Sequence, residues 1–249
     1  MVGKLLLRGM LVGIAAGIVA FIFAHTFGEP LVDKAIAFEE ATSAAANEAA
    51  QPEIVSRAMQ STLGLATGVL IYGAALGGIF ALVFAYVYGR VGKLSPRATS
   101  AILAVLGFIA VIAVPMIKYP ANPPAVGNPE TIGMRTELFF VMIVASILSM
   151  IVSVTVARRL IATCGTWNAS IIGGIVFIVL FAIVKYMLPD INEVPENFSA
   201  VVLWGFRTAS LGIQVTLWAV IGLGFGWLVE SELVGSSSLR KVPGHARKA

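Results

Sequence analysis

The sequence predicts an all-α, polytopic integral membrane protein: six transmembrane helices paired as three hairpins, both termini cytoplasmic, and long structured outer loops. Three observations carry the prediction. The 249 residues are 58% hydrophobic and 12% charged, with a mean hydropathy of +0.93, where soluble domains carry about a quarter charged residues. Six continuous apolar runs, at 5–27, 62–88, 98–117, 138–157, 168–188 and 200–229, each supply the ~20 residues needed to cross a hydrocarbon core of about 30 Å. Continuous runs also exclude the alternating short segments of outer-membrane strands. Finally, the basic residues are asymmetric. With the N terminus inside, Lys4, Arg8, Arg90, Lys93, Arg97, Arg158, Arg159, Arg240, Lys241, Arg247 and Lys248, 11 of the 17 Lys and Arg, lie on the inner side. Glu230 and Glu232 are the only acids there, the other 11 of 13 lying outside. The positive-inside rule then makes both termini cytoplasmic.

The first run exceeds the 7–15 apolar residues of a signal h-region and lacks a small-x-small cleavage site, so it reads as a retained helix. Gly9, Gly13 and Gly17 recur every fourth residue along it, a spacing that lets a second helix approach closely. The first outer loop, 28–61, divides in two. Residues 30–50 are alanine-rich with good helix propensity and predict an external or interfacial helix, broken at Gln51-Pro52; residues 53–60 predict the start of the second membrane helix. A short inner loop, 89–97, leads to the third run. The second outer loop, 118–137, is dense in proline: Pro120, Pro123, Pro124 and Pro129 lie in it and Pro115 just before it, and a residue that cannot donate a backbone hydrogen bond or continue a helix makes the connector stiff.

The fourth and fifth runs flank an inner loop at 158–167 that holds the single cysteine, Cys164. One cysteine excludes an internal disulfide and any multi-cysteine metal or iron–sulfur site. The third outer loop, 189–199, precedes the sixth run, in which Gly222, Gly224 and Gly226 follow no strand and read as packing residues. Residues 1–235 therefore form a single membrane domain. The basic tail at 236–249 reads as an orientation and lipid-surface feature, with no nucleic-acid partner.

Chemistry is expected on the outer side. His25, Glu29 and Asp33 recur every fourth residue, share a face if the helix is continuous, and offer the nitrogen and oxygen donors that suit divalent first-row metals such as cobalt(II), nickel or zinc. Pro30 interrupts that face, and a polar helix end with Asp33 paired to Lys34 or to an outer arginine is the competing reading. Glu39, Glu40, Glu48 and Glu53 extend the negative surface and either concentrate cations or keep an external helix soluble.

Lys118, Arg135, Lys185 and Arg207 sit at outer edges where basic residues are disfavoured, so each needs a partner. Arg207 lies eight residues into its helix, roughly 12 Å deep at 1.5 Å per residue, where a cation faces a bundle interior or a watery path. Glu29, Glu137, Asp190, Glu193 and Glu196 are the available acids, acting either as gating partners or as permanent clamps. A Lys-Tyr, loop, Arg-Thr pattern links 118–136 with 185–208, and Arg57 takes a comparable place before the second helix. Gln60 and Gln214 either line a path or make interhelical hydrogen bonds. The chain has no phosphate-binding loop with which to hydrolyse ATP, and no nucleophile and base that pair as an enzyme would require.

Four segments, FGEPLVDKAIAFEE (27–40), GRVGKLSPRATSA (89–101), KYPANPPAVGNPETIGMRT (118–136) and LPDINEVPENFSAVVLWGFRTASLG (188–212), resemble the CbtA family of probable cobalt transporter subunits. The resemblance covers nearly all of the chain through Glu230, and the proline loop is its most specific part. It implies a multi-pass protein of the cytoplasmic (inner) membrane of a bacterium or archaeon. Such a protein would supply cobalt(II) for cobalamin synthesis as a transported ion, with no permanently bound cofactor, often beside a small single-span CbtB-like subunit carrying histidines. The proline loop holds one carboxylate, Glu130, and no histidine, so the metal expectation rests on His25, Glu29 and Asp33. Two functions stay open: a permease that passes the cation through its bundle, and a non-conducting accessory or scaffold subunit whose outer loops bind a partner. Oligomerisation is compatible with either.

Overall fold

The computed structural model describes residues 2–47, 54–90, 92–124, 126–127 and 130–239, with side chains up to Glu232. The expected break at Gln51-Pro52, the carboxylates of Glu48 and Glu53, and the basic residues from 240 onward lie outside the described residues. Among the described residues the fold is all-helical without strands. Five helices are long and apolar enough to cross a membrane: α1 Val2–Ala45, α2 Arg57–Val87, α3 Pro96–Lys118, α4 Ile132–Met187 and α5 Ala200–Leu239. Large apolar side chains such as Leu7, Ile71, Ile147 and Leu223 stand exposed on these helices. In water such a surface would aggregate; facing lipid it is the expected exterior of a multi-pass membrane protein.

Three expectations from the sequence need correction. The external helix at 30–50 is not separate, because α1 runs unbroken to Ala45 through a π-helical stretch at Ala24–Gly28. Proline lacks an N–H and its ring clashes with the carbonyl four residues back; the wider π-turn placed just before Pro30 absorbs both problems without breaking the helix. The same device recurs in α3, where a π-helical stretch at Ile109–Ala113 precedes Pro115. Second, residues 158–167 are not a loop. Helix continues to Cys164, whose thiol donates to the Leu160 carbonyl at 3.2 Å, and resumes at Thr166. The interruption is Gly165 alone, at φ 75° and ψ 165°, a backbone state that costs any L side chain strain. Residues on either side of it pack together: a Cβ on Gly173 would meet Ala157 Cβ at 2.8 Å. Third, helix begins at Ile132, so Arg135, Thr136 and Glu137 lie in the opening turns of α4 and not in the loop.

The chain divides into two compact units. The first comprises Met1–Phe21, Ala66–Val105 and Thr216–Ala249. Its α1 and α2 segments touch backbone to backbone: a Cβ on Gly13 would fall on the Gly73 carbonyl, and one on Gly9 on the Gly77 carbonyl. The four-residue glycine spacing read in the sequence thus meets a matching spacing on α2. Gly222 and Gly226 play the same part on α5, against Ala104 and Ser100 of α3, and the buried Ser100 hydroxyl donates to the Gly222 carbonyl at 2.6 Å. Phe80 and Phe84 pack edge-on against Phe225 at ring-centroid distances of 5.7 and 5.2 Å, the arrangement aromatic quadrupoles favour. Both acids expected on the inner side are paired here, Glu232 with Arg8 and Glu230 with Arg97.

The second unit comprises Ile22–Leu65 and Leu106–Val215 and contains the three connectors that the sequence reading places outside. One of its cores gathers Val114, Tyr119 and Met142 against Phe177 and Phe181. The other gathers Ala35, Val126 and Phe198 against Phe38, Val202 and Leu203, so the extension of α1 beyond Glu29 is docked through Ala35 and Phe38.

Candidate functional site

The unbroken α1 keeps Glu29 and Asp33 on one face, and Arg57, the first residue of α2, reaches both. Ser56 has extended dihedrals, which turn the chain into α2 with the Arg57 side chain directed at α1. Its Nε donates to Asp33 Oδ1 at 2.9 Å, and its Nη2 donates to Glu29 Oε2. The outer arginine is therefore the partner these acids find. One turn earlier, His25 Nδ1 lies 3.1 Å from the Ser61 carbonyl. A carbonyl only accepts, so Nδ1 carries the proton and the lone pair of a neutral ring is on Nε2. Among the described residues no three of His, Cys, Asp and Glu stand together as a metal-holding group. Gln60 donates to the Val55 carbonyl at 2.8 Å, within its own connector.

The proline loop is held from three directions. Lys118, whose side chain is 4% exposed, pairs with Asp190, which is 94% exposed. The Tyr119 hydroxyl donates to the Pro189 carbonyl at 2.8 Å. Arg135 donates to the Pro120 carbonyl and contacts Glu193 Oε2 at 3.2 Å, while Thr131 donates to Glu193 Oε1 at 2.8 Å. Arg207 completes the brace from α5, its Nε donating to the Ala121 carbonyl at 3.2 Å and its Nη2 to Asn122 Oδ1 at 3.1 Å. The two arginines of the repeated Lys-Tyr, loop, Arg-Thr pattern converge on residues 120–122. The two lysines also behave alike, since Lys118 lies 5.8 Å over the Tyr119 ring and Lys185 5.8 Å over Tyr186, within reach of a cation–π contact.

These contacts set the local charge states. The hydrogen bond from Lys118, then its charge and that of Lys185, hold the Asp190 carboxyl below its ordinary range, against a small opposing effect of desolvation. Burial pushes the Tyr119 phenol up, with the Asp190 charge adding to it and Lys118 opposing. Glu137 is exposed and makes no ion pair among the described residues; the acid that meets Arg135 is Glu193. Sequence reasoning had Glu193 as one of several candidate acids. The segment 188–196 offers Asp190, Glu193 and Glu196, and no local pattern marks the middle one as buried.

A half-open cavity of about 340 Å³ lies behind the brace. Its polar lining is Asn122, Arg135, Thr136, Ser210 and Gln214, with Ile112, Met116 and Phe139 as apolar walls. Gln214, for which the sequence left both a path and an interhelical hydrogen bond open, is on a cavity wall, while Arg207 stands behind Asn122.

The family model CbtA, described as a probable cobalt transporter subunit, matches residues 2–230, and the chain belongs to that family. No curated protein and no solved structure matches the chain.

Proposed function

We propose, from membership in the CbtA family, that the chain is a non-ATP-hydrolysing permease subunit for uptake of cobalt(II) across a bacterial or archaeal inner membrane, toward cobalamin synthesis. The chain crosses six times, α4 counting twice through the reversal at Gly165, with both termini cytoplasmic. His25, Glu29 and Asp33 form the capture site on the outer side. The observation that carries this reading is the sharing of Arg57 between Glu29 and Asp33. An acid pair bridged by an exchangeable cation, with Glu29 largely buried at 14% and Asp33 open to solvent at 61%, is aligned for a divalent ion that arrives at Asp33 and displaces the guanidinium. His25 Nε2 supplies the nitrogen donor that favours a transition metal over calcium or magnesium. Arg57 is then the gate, and it returns when the ion moves on.

Cobalt accumulation in cells lacking other cobalt importers tests the site. The His25→Ala, Glu29→Ala double variant is expected to lose accumulation, and Arg57→Gln to bind cobalt more tightly while turning over more slowly. A double variant that accumulates cobalt at the wild-type rate removes the site assignment. The interlocked outer loops favour a second reading, an accessory subunit presenting a rigid surface to a partner such as a single-span CbtB-like chain. Cobalt flux through the purified chain reconstituted alone separates the two, being present for the permease and absent for the accessory subunit.

A further inference from the structure

We propose that the cavity behind the proline loop is a binding site for an oxyanion, a carboxylate or phosphate group on a small or lipid-borne body. The inference is independent of the metal reading, because the cavity shares no residue with His25, Glu29, Asp33 or Arg57. Its lining contains no carboxylate, so a bare divalent cation would meet no anionic oxygen there and would face the Arg135 guanidinium.

Three of the polar lining groups, Asn122, Arg135 and Ser210, can donate into it, while the Thr136 hydroxyl spends its hydrogen on the Ile132 carbonyl at 2.7 Å. Arg207 engages the oxygen of the Asn122 amide at 3.1 Å, which leaves the NH2 as that amide's remaining pole. The Ser210 hydroxyl has no protein partner among the described residues and can donate. Arg135 adds charge. The brace holds two guanidiniums, Arg135 and Arg207, against the single buried carboxylate of Glu193, so one positive charge is left over beside the cavity. Charge-assisted hydrogen bonds from a guanidinium with neutral donors beside it are the ordinary chemistry of oxyanion recognition. The walls of Ile112, Met116 and Phe139 fit the carbon body that carries such a group, and about 340 Å³ falls at the small end of ligand sites.

Citrate and inorganic phosphate, titrated into the purified full chain in a zwitterionic detergent with chloride as control, test the solute source. Nanodiscs of phosphatidylglycerol against a phosphate-free glycosyl diacylglycerol test the lipid source. Saturable stabilisation by citrate or phosphate assigns the site to a soluble oxyanion; stabilisation by phosphatidylglycerol alone assigns it to a headgroup phosphate. Asn122→Asp keeps an oxygen for Arg207 but places a negative charge in the cavity, and it should weaken either ligand by at least about tenfold, the cost of reversing one strong polar contact. Ser210→Ala, a change of one oxygen, should weaken it several-fold with an unchanged melting temperature in the absence of ligand, and it decides the matter if Asn122→Asp fails to fold. Absence of stabilisation by any of these ligands overturns the proposal, as does wild-type affinity in both variants.

Discussion

Replacing Glu193 by alanine should be among the most damaging single changes in the outer half of the sequence. Its carboxylate is 1% exposed, forms an ion pair with Arg135 at 3.2 Å and accepts from Thr131 at 2.8 Å. Arg135 is itself only 19% exposed, so the variant leaves a guanidinium largely out of water with the Pro120 carbonyl as its remaining contact. Removing one partner of a buried pair costs about 3–5 kcal/mol, most of it the desolvation of the charge left behind. For a chain of this size each kcal/mol moves the melting temperature by roughly 2–4 °C, which gives a fall of about 6–20 °C. Thermal unfolding in detergent, followed by tryptophan fluorescence, reads the shift. Arg135→Ala alone should cost a similar amount, and the Glu193→Ala, Arg135→Ala double variant should cost well below the sum of the two, because no stranded charge remains. A Glu193→Ala shift no larger than about 2 °C, the level of an exposed pair, would refute the claim that this carboxylate is the keystone of the brace.

The Lys118–Asp190 pair provides the contrast. Its acid is almost fully exposed while its lysine is buried, and Asp190→Asn keeps an amide oxygen for Lys118 to donate to, so its effect should be smaller than that of Glu193→Ala. That effect has a defined pH window: the folded carboxyl is held below its ordinary value, so the stabilisation is present above about pH 4 and is lost as pH falls through the folded pKa. The melting gap between wild type and Asp190→Asn should therefore be full at pH 6 and close as pH falls below about 4; a gap that widens in acid contradicts the assignment. Gly13→Val drives a side chain into the Gly73 carbonyl. Since the obstacle is backbone, the helices must part, and a loss at or above the ~1–3 kcal/mol of ordinary overpacking is expected in the same melting assay, against almost none for Gly68→Ala, which meets nothing. Gly165→Ala has open space for its methyl but forces alanine to φ 75°, so a cost of about 1–2 kcal/mol from backbone strain should appear without any change in secondary structure by circular dichroism.

The long apolar helices were legible because crossing a bilayer is a local demand: each segment must be apolar over its own length and must satisfy its own backbone. The glycines at 9, 13 and 17 announced a close contact for the same reason, since a missing side chain is visible in the sequence even when its partner is not. Pro30 was misleading as a break because the sequence does not reveal that a π-turn before it can absorb the missing hydrogen bond. The reversal between the two halves of α4 was visible as a charged interval, but its reduction to Gly165 was not.

Charge pairing belongs to another level. The sequence alone determined that Lys118, Arg135, Lys185 and Arg207 needed partners, because an uncompensated cation at a membrane edge is costly wherever the chain goes, and it tied Arg57 to them only through the repeated pattern. Which partner each one found was decided by tertiary structure: Glu29 and Asp33 for Arg57, the exposed Asp190 for Lys118, the buried Glu193 for Arg135, and backbone oxygen with Asn122 for Arg207. Coulomb attraction and hydrogen bonding fall off within a few ångströms. Residues up to 86 positions apart come within that distance only after the helices have packed, and no periodicity along the chain encodes the outcome.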